Sequence, residues 1–180
     1  MLDPLILKLV SICFALLFLL AAVHKLTALG NFRSTLAAYQ LLPDVLLVPL
    51  SIAVPVFEAL LGGAWLLNLD RVSVAIASTI LLAAYTAAIA INVVRGRVHI
   101  DCGCGMASSA GRDQTVSWRL VVRNAFLIIA ALTATLPAGE RSIGPLDYAT
   151  LVAALLAVVL LYGAANQLIS NGAAIGTWRK

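Results

Sequence analysis

Charge is what this chain has least of. Only 11% of its 180 residues are Asp, Glu, Lys or Arg, against 62% that are apolar, and the mean hydropathy is +1.03. A water-soluble domain carries roughly a quarter charged residues, so that class is excluded and an integral membrane protein remains. Basic residues outnumber acidic ones, twelve to eight, but they are scattered at the ends of apolar runs, where Lys and Arg set membrane orientation. The scatter argues against a nucleic-acid partner. A processing signal is missing as well. Lys8 ahead of an apolar run over residues 5–23 imitates a secretory leader, yet no small-residue cleavage pattern leads into a soluble mature domain, and further apolar segments follow. The run is read as a retained helix.

Cysteine is scarce: the chain has three. No C-x-x-C spacing occurs and no second pair completes a tetrahedral set, which excludes a ribbon or finger zinc site. What remains is Cys102-Gly103-Cys104, preceded by His99 and Asp101, in the one long polar interruption of the chain.

The apolar residues are arranged in runs. Crossing about 30 Å of hydrocarbon at 1.5 Å per residue takes about 20 residues of helix. Five segments qualify: 4–27, 45–67, 72–94, 120–136 and 146–168. The expected fold is therefore all-α, a polytopic membrane helical bundle of four core spans with a fifth, C-terminal span, forming one integral membrane domain over 1–180. Only Asn68-Leu69-Asp70-Arg71 joins the second and third segments, which predicts an antiparallel helical hairpin with an Asn/Asp turn. Residues 95–119 form the long extramembrane loop that carries the cysteine pair. Between 28 and 44, Phe32, Leu36, Tyr39, Leu41 and Leu42 recur near helical spacing, predicting a short amphipathic helix on the interface that ends at or before Pro43.

Five spans place the termini on opposite sides and divide the basic residues nine to three. Lys25, Arg33, Arg95, Arg97, Arg112, Arg119, Arg123, Arg179 and Lys180 fall on one side; Lys8, Arg71 and Arg141 fall on the other. Positive residues are retained in the cytoplasm, so the cysteine loop is expected to open to that side.

Residues i and i+2 of an extended strand stand too far apart for a disulfide, and on a helix they point to opposite faces. Only a tight turn joins Cys102 to Cys104, and Gly103 and Gly105 permit one. So small a ring would be labile and exchange-competent. Arg95, Arg97 and a protonated His99 favour thiolate, while Asp101 opposes it. Two other readings stay open: plain loop thiols, and a metal site drawing on His99, Asp101, Cys102 and Cys104. Cys13 lies inside the first span, where a small buried apolar residue is the ordinary reading and a transient mixed disulfide with the pair the alternative.

Glu58 interrupts the second span near its middle, where an ionised side chain costs a few kcal/mol unless paired, so it is expected to face the bundle interior. Asn92, Arg123, Asn124 and His24 are its candidate partners. His24-Lys25 at the end of the first span reads as an interfacial anchor. Gly62-Gly63 reads as a close helix approach.

Several of these residues stand in runs that resemble a known family. They are Phe32-Arg33-Ser34-Thr35-Leu36-Ala37-Ala38-Tyr39-Gln40-Leu41-Leu42-Pro43, Pro55-Val56-Phe57-Glu58, Ile91-Asn92-Val93-Val94-Arg95-Gly96-Arg97, Asp101-Cys102-Gly103-Cys104-Gly105, and Ser117-Trp118 leading to Arg123-Asn124. Together they resemble the MauE family of methylamine-utilisation membrane proteins, within the broader DoxX-like group, over residues 5–135. The resemblance implies a role in maturing methylamine dehydrogenase or a similar disulfide-rich client, with a thioredoxin-fold disulfide isomerase as partner. It also implies that Cys102 and Cys104 are the redox pair and that Glu58, Arg123 and Asn124 belong to a shared membrane framework. The family often has Phe-Gly after the second cysteine, where this chain has Gly105-Met106.

The sequence thus leads to a multi-pass protein of a bacterial cytoplasmic (inner) membrane, in contact with the lipid bilayer, that exchanges electrons through Cys102 and Cys104. Possible auxiliary groups are His99, Asp101, Glu58, Arg123, Asn124 and Cys13. No cofactor and no resident metal are expected. A noncatalytic scaffold of a maturation complex and a metal-handling membrane protein are the alternatives.

Overall fold

A computed structural model of the chain describes residues 2–97, 118–139, 141 and 144–177, and for residues 166 and 168–177 the backbone alone. The described residues are helical but for turns and a single bridge, in six helices: α1 (Pro4–Thr27), α2 (Leu29–Tyr39), α3 (Asp44–Leu66), α4 (Arg71–Val94), α5 (Trp118–Thr133) and α6 (Pro145–Thr177). Four of them, α1, α3, α4 and α6 over Pro145–Ala165, are long and apolar enough to cross a membrane. The protein is a multi-pass helical membrane protein. The fourth expected span, 120–136, forms the 16-residue α5, about 24 Å long and a turn short of the full crossing length. Its run of apolar residues continues to Leu136, but the backbone tightens into turns after Thr133.

Residues 10–136 make one compact unit. Each helix end in it has a local cause. The α3–α4 turn is closed by Asn68 at positive φ, with the Asn68 N–H on the Trp65 carbonyl and the Leu69 N–H on the Ala64 carbonyl, the paired bonds that stop a helix at a left-handed residue. Asp70 then takes the hydroxyl of Ser73 in the first turn of α4. Gly96, at φ +72, ends α4 in the same way: its N–H meets the Val93 carbonyl and the Arg97 N–H meets the Asn92 carbonyl. Glycine takes that conformation without the Cβ clash that penalises other residues.

Packing in this unit is set by heptad-spaced stripes. Buried positions are Ser11, Phe14, Phe18, Ala22 and Lys25 on α1, Leu47, Ser51, Pro55, Glu58, Gly62 and Trp65 on α3, and Ala75, Ser78, Leu82, Ile89 and Asn92 on α4. Seven-residue spacing keeps one face of each helix against its neighbours. Phe14 stacks on Trp65 with ring centroids 5.5 Å apart, and the α-carbon face of Gly62 lies against Leu19. The short α2 buries Phe32 and Tyr39, and Tyr39 joins Ile89 of α4 and Leu120 of α5 in one apolar cluster. Arg71 at the start of α4 donates to the Leu136 carbonyl just beyond α5, so α4 and α5 run antiparallel.

Residues 1–9 and 137–180 make the other unit. Asp3 caps α1, accepting the Leu5 N–H at 2.8 Å ahead of Pro4, the arrangement expected where proline opens a helix. Leu2 and Ala138 form a β-bridge, Arg141 is paired with Asp3 and Asp147, and the Lys8 ammonium lies 5.2 Å from the centre of the Tyr148 ring.

Candidate functional site

The two thiols singled out by the sequence, with His99 and Asp101, lie outside the described residues. The structure describes the two ends from which their loop springs: Arg95-Gly96-Arg97 after α4, and Trp118 at the start of α5. Among the described residues no three of His, Cys, Asp and Glu come together as a metal site would require. Cys13 sits half-buried as a free thiol on α1.

Inside the bundle the polar chemistry converges on Glu58, which is 1% exposed. Its Oε1 accepts the Lys25 ammonium at 2.5 Å and the Tyr85 hydroxyl at 2.7 Å, and Lys25 Nζ also donates to the Tyr85 hydroxyl oxygen at 3.2 Å. Three helices thus contribute one group each to a closed triangle of acid, base and phenol. The Lys25 ammonium further lies 5.1 Å from the centre of the Phe32 ring of α2 and 4.8 Å from that of Tyr85, where the negative ring faces offset part of its desolvation.

Glu58 is buried and hydrogen-bonded as its place in an apolar span requires. Its partner, however, is none of the candidates the sequence offered. Lys25 is 5% exposed; it is no interfacial anchor, because the chain does not leave the bundle at the end of α1. After a break at Ala28, α2 carries it on over Phe32 and Tyr39, covering the lysine on a side that the sequence assigned to water. Asn124 is buried on α5 and Arg123 beside it is half-buried. The packing of Ile89 with Leu120 sets Asn124 within about a turn of the level of Tyr85. Neither has a described hydrogen bond to Glu58. Asn92 is fully buried two turns along α4 from Tyr85, its amide nitrogen donating to the Ala88 carbonyl at 3.0 Å.

Tyr85 and the role of Lys25 escaped the sequence reading, though a signal for them existed. Ser51, Glu58 and Trp65 recur every seven residues on α3, and Ser78, Tyr85 and Asn92 do so on α4. Antiparallel packing pairs them in rungs: Trp65 Nε1 donates to Ser78 Oγ at 2.9 Å, Tyr85 donates to Glu58, and the same register sets Ser51 level with Asn92. A polar heptad shared by two consecutive apolar segments marks a common seam.

The fold and this site define a class: a multi-pass membrane bundle that holds a buried Lys–Glu–Tyr cluster, with a cysteine pair in the sequence between α4 and α5. The chain belongs to the MauE family, whose model, described as methylamine utilisation protein MauE, matches residues 3–137. Its relatives include the methylamine utilization protein MauE of Paracoccus denitrificans, 35% identical over 98% of this chain and 97% of that protein. The protein of the same name from Paracoccus versutus is 37% identical over 92% of this chain and 88% of its own length, and that from Methylorubrum extorquens 34% over 90% and 87%. No solved structure matches the chain.

Proposed function

We propose that this protein serves methylamine utilisation as a thiol–disulfide exchange protein of the bacterial cytoplasmic membrane, with Cys102 and Cys104 as the reacting pair. The observation that carries the reading is two thiols one residue apart, spaced by Gly103 and followed by Gly105, in a chain that matches methylamine utilization proteins over nearly its whole length. The thiolate of one cysteine attacks a disulfide of the partner. One sulfur of that disulfide leaves as thiolate, and a mixed disulfide joins the two proteins. The second cysteine then attacks the mixed disulfide, so the partner departs as a dithiol and Cys102–Cys104 is left oxidised. Two electrons pass to the partner, and exchange with a second dithiol, a cytoplasmic thiol reductant that leaves as its disulfide, returns the pair to the reduced state. Arg95, Arg97 and a protonated His99 favour the thiolate.

The partner that fits this chemistry is a thioredoxin-fold disulfide isomerase, which the exchange keeps reduced for work on methylamine dehydrogenase or a similar disulfide-rich client. Glu58, with Lys25 and Tyr85, ties α4, one of the two helices that flank the cysteine segment, to α1 and α3. The test is alkylation trapping of the pair in cells, with and without the thioredoxin-like partner. The expected result is a pair whose oxidised fraction changes when the partner is deleted, and loss of client maturation in Cys102→Ser and Cys104→Ser. Maturation intact in both variants would instead favour a scaffold.

A further inference from the structure

Two buried acceptors on the α3–α4 seam have no hydrogen-bond donor among the described residues: Oε2 of Glu58 and Oδ1 of Asn92, on residues 1% and 0% exposed. Both side chains use their other polar atom, so neither is misplaced as a whole. Glu58 accepts two bonds on Oε1, and Asn92 donates through Nδ2 to Ala88. The two residues occupy successive rungs of one register, seven residues apart on the seam and so separated by roughly 10 Å of helix rise. Between them lies Pro55, buried on α3, which has no N–H to give to the carbonyl of Ser51, the buried residue level with Asn92. Buried acceptors in an apolar medium are costly enough that native structures supply them with donors. No described side chain does so here.

We propose that this stretch of the seam is an internal water site, in which ordered water donates to Glu58 Oε2 and Asn92 Oδ1 and links the Lys25–Glu58–Tyr85 cluster to the loop end of α4. A buried water ordinarily makes about three hydrogen bonds to otherwise unsatisfied groups, and the seam offers three acceptors: the carboxylate on one rung, and the Ser51 carbonyl and the carboxamide toward the next. The opposite direction along the seam stays dry. There the next rung is saturated, with Trp65 bonded to Ser78 and stacked on Phe14. Water therefore comes from the C-terminal end of α4, past Asn92, and not from the α3–α4 turn, past Trp65. This inference does not depend on the thiol reading.

Water-to-protein magnetisation transfer, measured by solid-state NMR on the isotopically labelled full chain in lipid bilayers, tests it. Transfer at Asn92 Nδ2 and Lys25 Nζ should build up at least about fivefold faster than at Trp65 Nε1, the dry reference in the same seam. Equal build-up at all three sites would overturn the proposal. Asn92→Leu should slow transfer at Lys25 to the Trp65 level; a folded Asn92→Leu protein with Lys25 still hydrated would show that water reaches the cluster by another way. If that variant does not fold, the comparison within the unsubstituted protein decides alone.

Discussion

Lys25 and Glu58 each make a demand on the bundle that only the other can meet. An ion moved from water into low dielectric loses several kcal/mol of hydration, and removing one partner of a buried pair leaves the other uncompensated, at a cost of about 3–5 kcal/mol. Glu58→Leu and Lys25→Met are each expected to lower unfolding stability by that order, read from thermal unfolding in detergent. The double substitution should recover much of the loss, because an apolar pair needs no counter-ion. Glu58→Gln should fall between, since it keeps a hydrogen bond to Tyr85 but leaves the lysine without a negative partner. The sequence exposed half of this arrangement. A carboxylate in the middle of an apolar run can only face inward, so Glu58 was legible from its position alone. Lys25, two residues before the end of a run, is where a long cation reaches water in most membrane proteins, and only the onward path of α2 reverses that.

At the scale of elements, the long apolar runs were legible almost to the residue: α1 coincides with the expected 4–27, and α3 and α4 begin one residue before the expected 45 and 72. Length and hydropathy suffice there, because a continuous apolar run of about 20 residues satisfies its own backbone in lipid only as a helix. The amphipathic α2 was visible in its spacing, though two of its aromatic residues are buried in the bundle. For α5, apolar composition was a poor guide to length, since the stop after Thr133 is set by backbone turns. The glycine pair was only half resolved. A Cβ on Gly62 would lie 2.7 Å from the Leu19 side chain and 3.1 Å from its backbone nitrogen, whereas one on Gly63 would meet nothing within 4 Å. Gly62→Val should accordingly force α1 from α3 and cost about 1–3 kcal/mol, with Gly63→Ala neutral or slightly stabilising through helix propensity; parallel unfolding curves would separate them. On the neighbouring rung, Trp65→Phe should cost about 1 kcal/mol, by loss of the hydrogen bond to Ser78.

For the whole molecule the open quantity is orientation. Lys25 is buried and paired, so it drops out of the tally of basic residues facing the aqueous phases, and the bias toward the side of the cysteine loop becomes eight to three. The direction survives. Membrane-impermeant thiol reagents are therefore expected to label Cys102 and Cys104 faster in inverted vesicles than in intact cells. Faster labelling from outside would reverse the orientation and make exchange with an extracytoplasmic partner direct. The segment that carries the two thiols lies outside the described residues; its sequence marks the chemistry and, with no apolar periodicity among its Gly, Ser and Ala, predicts no packed element.

The ion pair also has a history in time. Lys25 precedes Glu58 by 33 residues, so during synthesis the cation reaches the bilayer before its counter-ion does. Until α3 arrives, the nascent first helix carries an uncompensated ammonium near its trailing end and rests most favourably with that end at the headgroups. Arrival of Glu58 then draws it inward. A chain cut after Pro43 should hold α1 at a shallower depth than the full protein does, readable as greater accessibility of a cysteine placed at Thr27, and Glu58→Leu in the full chain should leave α1 in that early position.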